Sequence, residues 1–450
     1  MNHKLRIGVL LAFLFPLVLF GQDLLSTLGN MHSVVKGETW ESVANSYGVS
    51  VLELQAANPD VKKKKLKKGT LLIIPAIPVK DGDKQQEPDG SIHATDGPGM
   101  TLVRTAIPNL KVGVLLPFSD KKMVEFYRGF LMAADSIKKT GVSLDIHAWD
   151  CGASVSQLEQ IMPQLNGLDV VVGPASATQI PTVAEVCKEQ GIRLVLPFWS
   201  GQSLFDYPRV YNATAPNTLF YDAAVKKLMS YYGDNNFVIV HSGNPDNHGQ
   251  ILSDALTRQL AQRTGKPRIL EIEGSDFDYE SAFNQYRNNM IVLDNSNISS
   301  LNNLLAHLKS FQQKHPVYRL SLIGYTEWQD EVSNLQNDFF ALDTYIATPY
   351  YYNVLDDRTE EFERSYTKNF RSSIAQNNPR YAALGFDLGC YFLGGISSMG
   401  DTFEQMLGNI QQNPYQNSYH FERSGAGISF SNCFVQFIHF TPEKTIELIR

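Results

Sequence analysis

Hydrophobic and polar positions divide the chain into four stretches of different texture. The first, MNHKLRIGVLLAFLFPLVLFGQ, sets Lys4 and Arg6 ahead of an unbroken apolar run from Ile7 to Phe20 that ends at small Gly21. In the second, "HSVV" alternates as a strand does and Gly37 breaks it. Trp40, Val43, Ala44 and Tyr47 then recur at helical spacing behind Thr39, a candidate N-cap. Gly48 ends that helix. Ser50 can cap another that carries Val51, Leu52, Leu54 and Ala57 and is stopped by Asn58-Pro59. "GTLLIIP" supplies a closing strand, so residues 32–75 are expected to run strand, helix, helix, strand.

The third stretch, 76–110, is rich in Gly, Pro and Asp and almost without apolar periodicity, the texture of a flexible tether. From Lys111 the pattern changes again. "KVGVLLPFSD" is a continuous apolar run suited to a buried parallel strand, followed by the helical spacing of "FYRGFLMAADSIKK" and the strand "LDIHAWD". "LDVVVGPASATQIPTVAEVCKEQGIRLVLPFWS" then gives strand, turn, helix, strand, and the alternation returns in "NFVIVHSGN", "ILSDALTRQLAQR", "RILEIEG", "NMIVLDNS" and "YRLSLIGYTEW". Such alternation implies parallel sheet with helices on both faces, and the strands are too numerous for one small sheet. The fold class expected for 111–450 is therefore α/β in two lobes, each a doubly wound parallel sheet, preceded by the small βααβ unit.

Length and composition agree with this division. A chain of 450 residues needs at least two folding units, and 43% hydrophobic with 11% aromatic residues is enough for sizeable cores. A net charge of -7 gives no reason to expect nucleic acid. Residues 1–21 have the charged-then-apolar layout of a secretory signal, short for a membrane span, with cleavage near Gly21; an uncleaved anchor stays open. The expected destination is the periplasm. Four cysteines (Cys151, Cys187, Cys390 and Cys433) are too few for a disulfide scaffold, and neither C-x-x-C nor paired histidines suggest a metal. Buried free thiols and a Cys151–Cys187 pair both remain open. "VKKKKLKK" puts six lysines into one loop, either a solvated charge run or a long-range attraction to anionic wall polymers.

The pattern H-x-V-x-x-G-E-T-W-x-x-V-A, then Y-G-V-S-V-x-x-L-x-x-x-N-P, then L-x-x-G-x-x-L-x-I-P, resembles the lysin motif (LysM) over the whole of 32–75. The resemblance implies binding to N-acetylglucosamine glycans, chiefly peptidoglycan, in a groove formed by Gly37, Glu38, Thr39 and Trp40 on one side and Asn58, Pro59 and Leu66 on the other. Thr39 and Asn58 could instead serve only as caps.

From Lys111 onward the chain resembles type I periplasmic solute-binding proteins of the branched-chain amino-acid receptor class. The resemblance is carried by "KVGVLLPFS" with "Y-x-x-G-F-x-x-A-A-D-S-I", "VVVGPASAT", "GIRLVLPFWS", "YNATAPNTLFYDAAV" and "NNPRYAALGFDLGCYFL". It implies a first lobe of about 111–215 and 345–405 and a second of about 216–344 and 406–450. It also implies a ligand cleft at strand carboxyl ends contacted by Ser119, Ser176, Thr178, Trp199, Ser200, Tyr325 and Glu327, hydroxyls suiting a carboxylate and Glu327 an amine. Ser176 and Thr178 could alternatively cap the following helix, and Trp199 could simply pack. His248-Gly249 stands where the family commonly has Tyr-Gly, and a tether to the wall fits a shuttle between cleft and permease poorly.

No H-E-x-x-H, phosphate-loop or G-x-S-x-G pattern occurs, and "GAG" at Gly425–Gly427 has no dinucleotide context. The expectation is a non-enzymatic protein without cofactor. Its partners would be peptidoglycan and either an amino-acid-like ligand or a protein of cell-wall synthesis; transport by an ABC system is a further alternative.

Overall fold

The computed structural model describes residues 31–34, 37–47, 51–56, 58, 61, 66–68, 70–73, 109–198, 201, 207–263, 268–271, 279–423 and 428–450. The expected signal and most of the tether lie outside these residues. The chain forms two compact units, 1–98 and 99–450.

In the small unit, strand β1 (Met31–Ser33) pairs antiparallel with β2 (Leu71–Ile73), and helices α1 (Trp40–Tyr47) and α2 (Val51–Ala56) lie between them in sequence. Val34, Trp40, Val43, Ala44, Leu54, Leu66 and Leu72 are buried together. So small a core needs its helix ends satisfied. The N–H of Ser42 donates to Thr39 Oγ1 at 3.2 Å, while the N–H of Thr39 donates to Ser42 Oγ at 2.8 Å, a reciprocal cap in which Ser takes the place usual for Glu or Gln. Asn58 Nδ2 donates to the Leu54 carbonyl at 2.8 Å at the end of α2.

The large unit has two seven-stranded sheets. In the first lobe, β3 (Asn109–Leu116), β4 (Ser143–Asp150), β5 (Val170–Val172), β6 (Arg193–Leu196) and β7 (Val210–Asn212) are parallel in the order β7-β6-β5-β3-β4. Strands β5, β6 and β7 are buried at every position, as strands covered on both faces must be. Helices α3 (Lys121–Lys138) and α4 (Ile180–Gln190) belong to this lobe. In the second lobe, α5 (Asn217–Tyr232), α6 (Asn247–Arg263), α7 (Ile298–Lys314) and α8 (Val332–Ala341) alternate with strands. These are β8 (Asn236–His241), β9 (Arg268–Glu271), β10 (Asn289–Leu293), β11 (Leu320–Gly324) and β12 (Thr344–Thr348), parallel in the order β9-β8-β10-β11-β12.

The chain then returns to the first lobe. Helix α9 (Asp357–Phe370) leads to α10 (Tyr381–Met399), which packs on α3 with no room between the backbones. A Cβ at Gly385 would lie 2.0 Å from the Phe126 carbonyl oxygen, and one at Gly129 would lie 1.8 Å from that of Ala382, so both helices need glycine at the crossing. Next, β13 (Phe421–Arg423) and β14 (Phe430–Asn432) complete the first sheet, β14 running parallel to β7. Only β15 (Gln436–Phe440) and β16 (Ile446–Ile449) join the second, β15 antiparallel to β12 and β16 antiparallel to β15.

The partition therefore differs from the expected one. β12 belongs to the second lobe, and β13 and β14 belong to the first rather than to a block running from 406. The cause is a third crossover at 432–436, after a hairpin of two three-residue strands whose weak pattern hides it in the sequence. Among the described residues no helix is long and apolar enough to cross a membrane.

Candidate functional site

Three crossovers join the lobes, after β7, after β12 and after β14, and a cavity of about 380 Å³ lies against all of them. Ala213 and Thr214 come from the first crossover, Pro349 and Tyr350 from the second and Phe434 from the third. Phe198 and Tyr381 of the first lobe and Phe220 of the second add aromatic walls.

The polar centre belongs to the second lobe. His248, in the first turn of α6, has Nδ1 3.0 Å from the Tyr221 hydroxyl and 3.2 Å from Glu327 Oε1, and Nε2 3.2 Å from Asn217 Nδ2. With Asn217 donating to Nε2, the neutral ring carries its proton on Nδ1, directed at the phenol oxygen and the carboxylate. Local packing sets this geometry. A Cβ at Gly249 would fall 1.8 Å from the Asp294 carbonyl oxygen, so the start of α6 lies directly on the end of β10. Asp246 then accepts the Gly249 N–H at 2.7 Å and both the N–H and hydroxyl of Ser296, at 2.7 and 2.6 Å. Burial opposes the charge on Asp246, but these bonds outweigh it and hold the carboxyl below its usual range. Burial, with the Glu327 and Asp246 carboxylates, drives the Tyr221 phenol far up, so it stays protonated.

This arrangement offers a partly exposed carboxylate and an imidazole beside aromatic faces, suited to holding a small amphipathic molecule. The lining threonines, Thr214 and Thr326, donate to the Pro197 and Ala347 carbonyls at 2.8 and 2.9 Å, so neither is presented as a nucleophile. Among the described residues no cluster of three or more His, Cys, Asp or Glu could hold a metal ion. All four cysteines carry free thiols. Burial pushes the Cys151 thiol up to about 11 and that of Cys187 to about 12.

Of the residues expected at the cleft, Glu327 lines the cavity. Tyr325 does not: it is wholly buried, its hydroxyl against the Leu293 carbonyl, because in "GYTEW" it faces the lobe core while Glu327 faces out. Ser119 is exposed at the turn after β3. The hydroxyls of Ser176 and Thr178 lie 2.9 Å apart and approach the Ala153 carbonyl at 3.3 and 3.5 Å, outside the cavity lining. Neither caps α4, which begins after Gln179, and Gln179 uses its side chain to donate to the Cys151 and Ser154 carbonyls. Trp199 and Ser200 lie outside the described residues. Sequence reasoning missed the crossover aromatics Tyr350 and Phe434; the only available signal was their place beside the strand ends that change lobe.

In the small unit, Gly37 (φ 103°) and Thr39 are exposed and Glu38 is half-buried, whereas Trp40, Leu66 and Asn58 are interior. Pro59 lies outside the described residues, as do residues 62–65 of the lysine run.

Comparison with known proteins gives the class. Residues 32–75 match the model of the LysM domain. No curated protein matches the chain. The large unit has the fold of type I periplasmic binding proteins. A putative branched-chain amino-acid ABC transporter protein from Rhodospirillum rubrum superposes with a TM-score of 0.53 at 13% identity, covering 76% of this chain and 100% of that one. The C-domain of LpoA from Haemophilus influenzae, a regulator of PBP1A, gives 0.49 at 13% identity over 76% and 100%. A periplasmic ligand-binding protein of a branched-chain amino-acid ABC transporter from Burkholderia xenovorans gives 0.46 at 12% identity over 76% and 94%.

Proposed function

We propose that this is an exported, non-catalytic, wall-associated binding protein. Its lysin motif holds N-acetylglucosamine glycan of peptidoglycan, and its two-lobed body takes a small amino-acid-like ligand into the inter-lobe cavity. The match of residues 32–75 to the LysM domain supports the anchoring half. The cavity against the three crossovers, with Glu327 and His248 at its centre, supports the ligand-binding half.

Two measurements on the full chain test the reading. Co-sedimentation with insoluble peptidoglycan tests the anchor, and a chain that stays in the supernatant overturns it. Thermal shift against amino acids and soluble wall fragments tests the cleft. A ligand at a hundred times its Kd adds roughly 2.7 kcal/mol to the folded state and raises the Tm of the body. A complete panel without a shift removes the small-ligand reading and leaves a body that acts by docking to a protein of cell-wall synthesis.

A further inference from the structure

Three carboxylates lie around the start of α6, and one of them is still open to a ligand. Asp246, two residues ahead of His248, spends its oxygens on the Gly249 N–H and on Ser296, at 2.6 to 2.7 Å. Asp294, at the end of β10, takes His241 Nδ1 at 2.7 Å and the Ser242 N–H at 2.8 Å, and its side chain is only 2% exposed. Glu327, from the segment after β11, meets His248 Nδ1 through Oε1, and its Oε2 has no partner among the described residues. It lines the cavity with a side chain that is 47% exposed.

The other titratable neighbours are phenols. Burial above all drives Tyr221, Tyr325 and Tyr350 far up, so all three stay neutral. Among the described residues no lysine or arginine lines the cavity. His248 is therefore the described lining group that can bring a positive charge to Glu327, and imidazole is the side chain that changes charge between about pH 5 and 8.

Its surroundings accommodate both forms of the ring. Neutral, it accepts from Asn217 Nδ2 on Nε2 and carries its proton on Nδ1. Charged, it needs an acceptor at Nε2, and a half-turn of the Asn217 carboxamide brings its oxygen there without moving the ring. The imidazolium then forms an ion pair with Glu327, and an ammonium seated on Oε2 would face a second cation across one carboxylate.

We propose that Glu327 is a counter-ion shared between His248 and the ligand, so that the cavity takes an ammonium group in exchange for a proton. Loss of the Nε2 proton to solvent leaves Glu327 charged beside a neutral ring, and the ligand ammonium becomes its cation. The inference rests on the small-ligand reading of this cavity and adds that acidity empties it.

Isothermal titration of the full chain tests it, with phenethylamine and the standard amino acids other than histidine as probes, whose ammonium groups stay charged across the range used. The titrations are made at about pH 7.5 and about pH 5.5, on either side of the usual imidazole range, in two buffers of different ionisation enthalpy. A single blocking proton weakens binding by at most about tenfold per pH unit. The expected loss from the higher to the lower pH is at least fivefold, with protons released to the buffer on binding at the lower pH. His248→Gln, a polar side chain that cannot take the charge, should bind with one affinity at both values. A pH-independent affinity in the wild-type chain, binding without proton release at the lower pH, or an equal loss in His248→Gln overturns the exchange and leaves the small-ligand reading in place. If no probe gives heat at the higher pH, the exchange and the small-ligand reading fall together.

Discussion

His248 Nδ1 and Glu327 Oε1 lie 3.2 Å apart, tying the first turn of α6 to the segment that follows β11 at the centre of the inter-lobe cavity. Their side chains are 32% and 47% exposed, so the contact contributes little to folding. Glu327→Gln is therefore expected to leave the unliganded stability within about 1 kcal/mol of wild type, while weakening any amine-bearing ligand at least tenfold. Thermal shift with and without ligand reads both effects, and equal ligand affinity in the two chains would discard Glu327 as the amine contact.

Arg193 and Glu404 make the opposite kind of pair. Arg193 Nε and Nη2 donate to the two Glu404 oxygens at 2.8 and 3.1 Å, Tyr211 adds a hydroxyl at 2.9 Å, and the side chains are only 3% and 15% exposed. Removing one member strands a buried charge, so Glu404→Ala should cost about 3 kcal/mol, measured by denaturant unfolding.

The same pair sets a pH dependence. Burial opposes ionisation of Glu404, but hydrogen bonds and charge from Arg193, then the Tyr211 bond, hold its carboxyl below the usual 4.5. A depressed carboxyl stabilises the fold above its unfolded value and loses that contribution as pH falls through the folded value. The Tm of the body should fall below pH 4.5, and Glu404→Gln should lack this part of the fall.

Gly385→Ala tests the α3–α10 crossing. The added methyl meets the Phe126 carbonyl, which belongs to a helix backbone and cannot turn aside, so a loss of about 3 kcal/mol is expected. Gly408→Ala, with nothing within 4 Å of its Cβ, should change stability by less than about 0.5 kcal/mol.

Trp40 is 4% exposed and packs with six other buried residues among the described residues of its unit. Trp40→Ala should remove about 3 kcal/mol or more from a unit with little to spare, and abolish peptidoglycan co-sedimentation while the melting of residues 99–450 is unchanged.

Much of this architecture was legible in the sequence, for an identifiable reason. Strands buried on both faces, such as Val170–Val172, must be continuous apolar runs, and the reciprocal Thr39–Ser42 cap sits where Thr39 precedes a helical pattern. The cavity was legible only in part because its lining comes from residues remote in the chain. His248 is identifiable as a departure from a family pattern, yet nothing local says that it meets Glu327. Tyr325 and Glu327 are two positions apart and differ only in which way the chain turns after β11. The pairing of β13 with β14 was lost because three-residue strands have too little alternation to read.

Asn432 Nδ2 donates to the Ala213 carbonyl at 3.1 Å, so the last crossover is stitched to the first. Straps fastened to one another can flex in unison but cannot slide past each other. The lobes should accordingly swing like a door on a single pin, with sideways shear and screw motion suppressed, and a body of this kind would convert an occupied cleft into one well-defined change of angle.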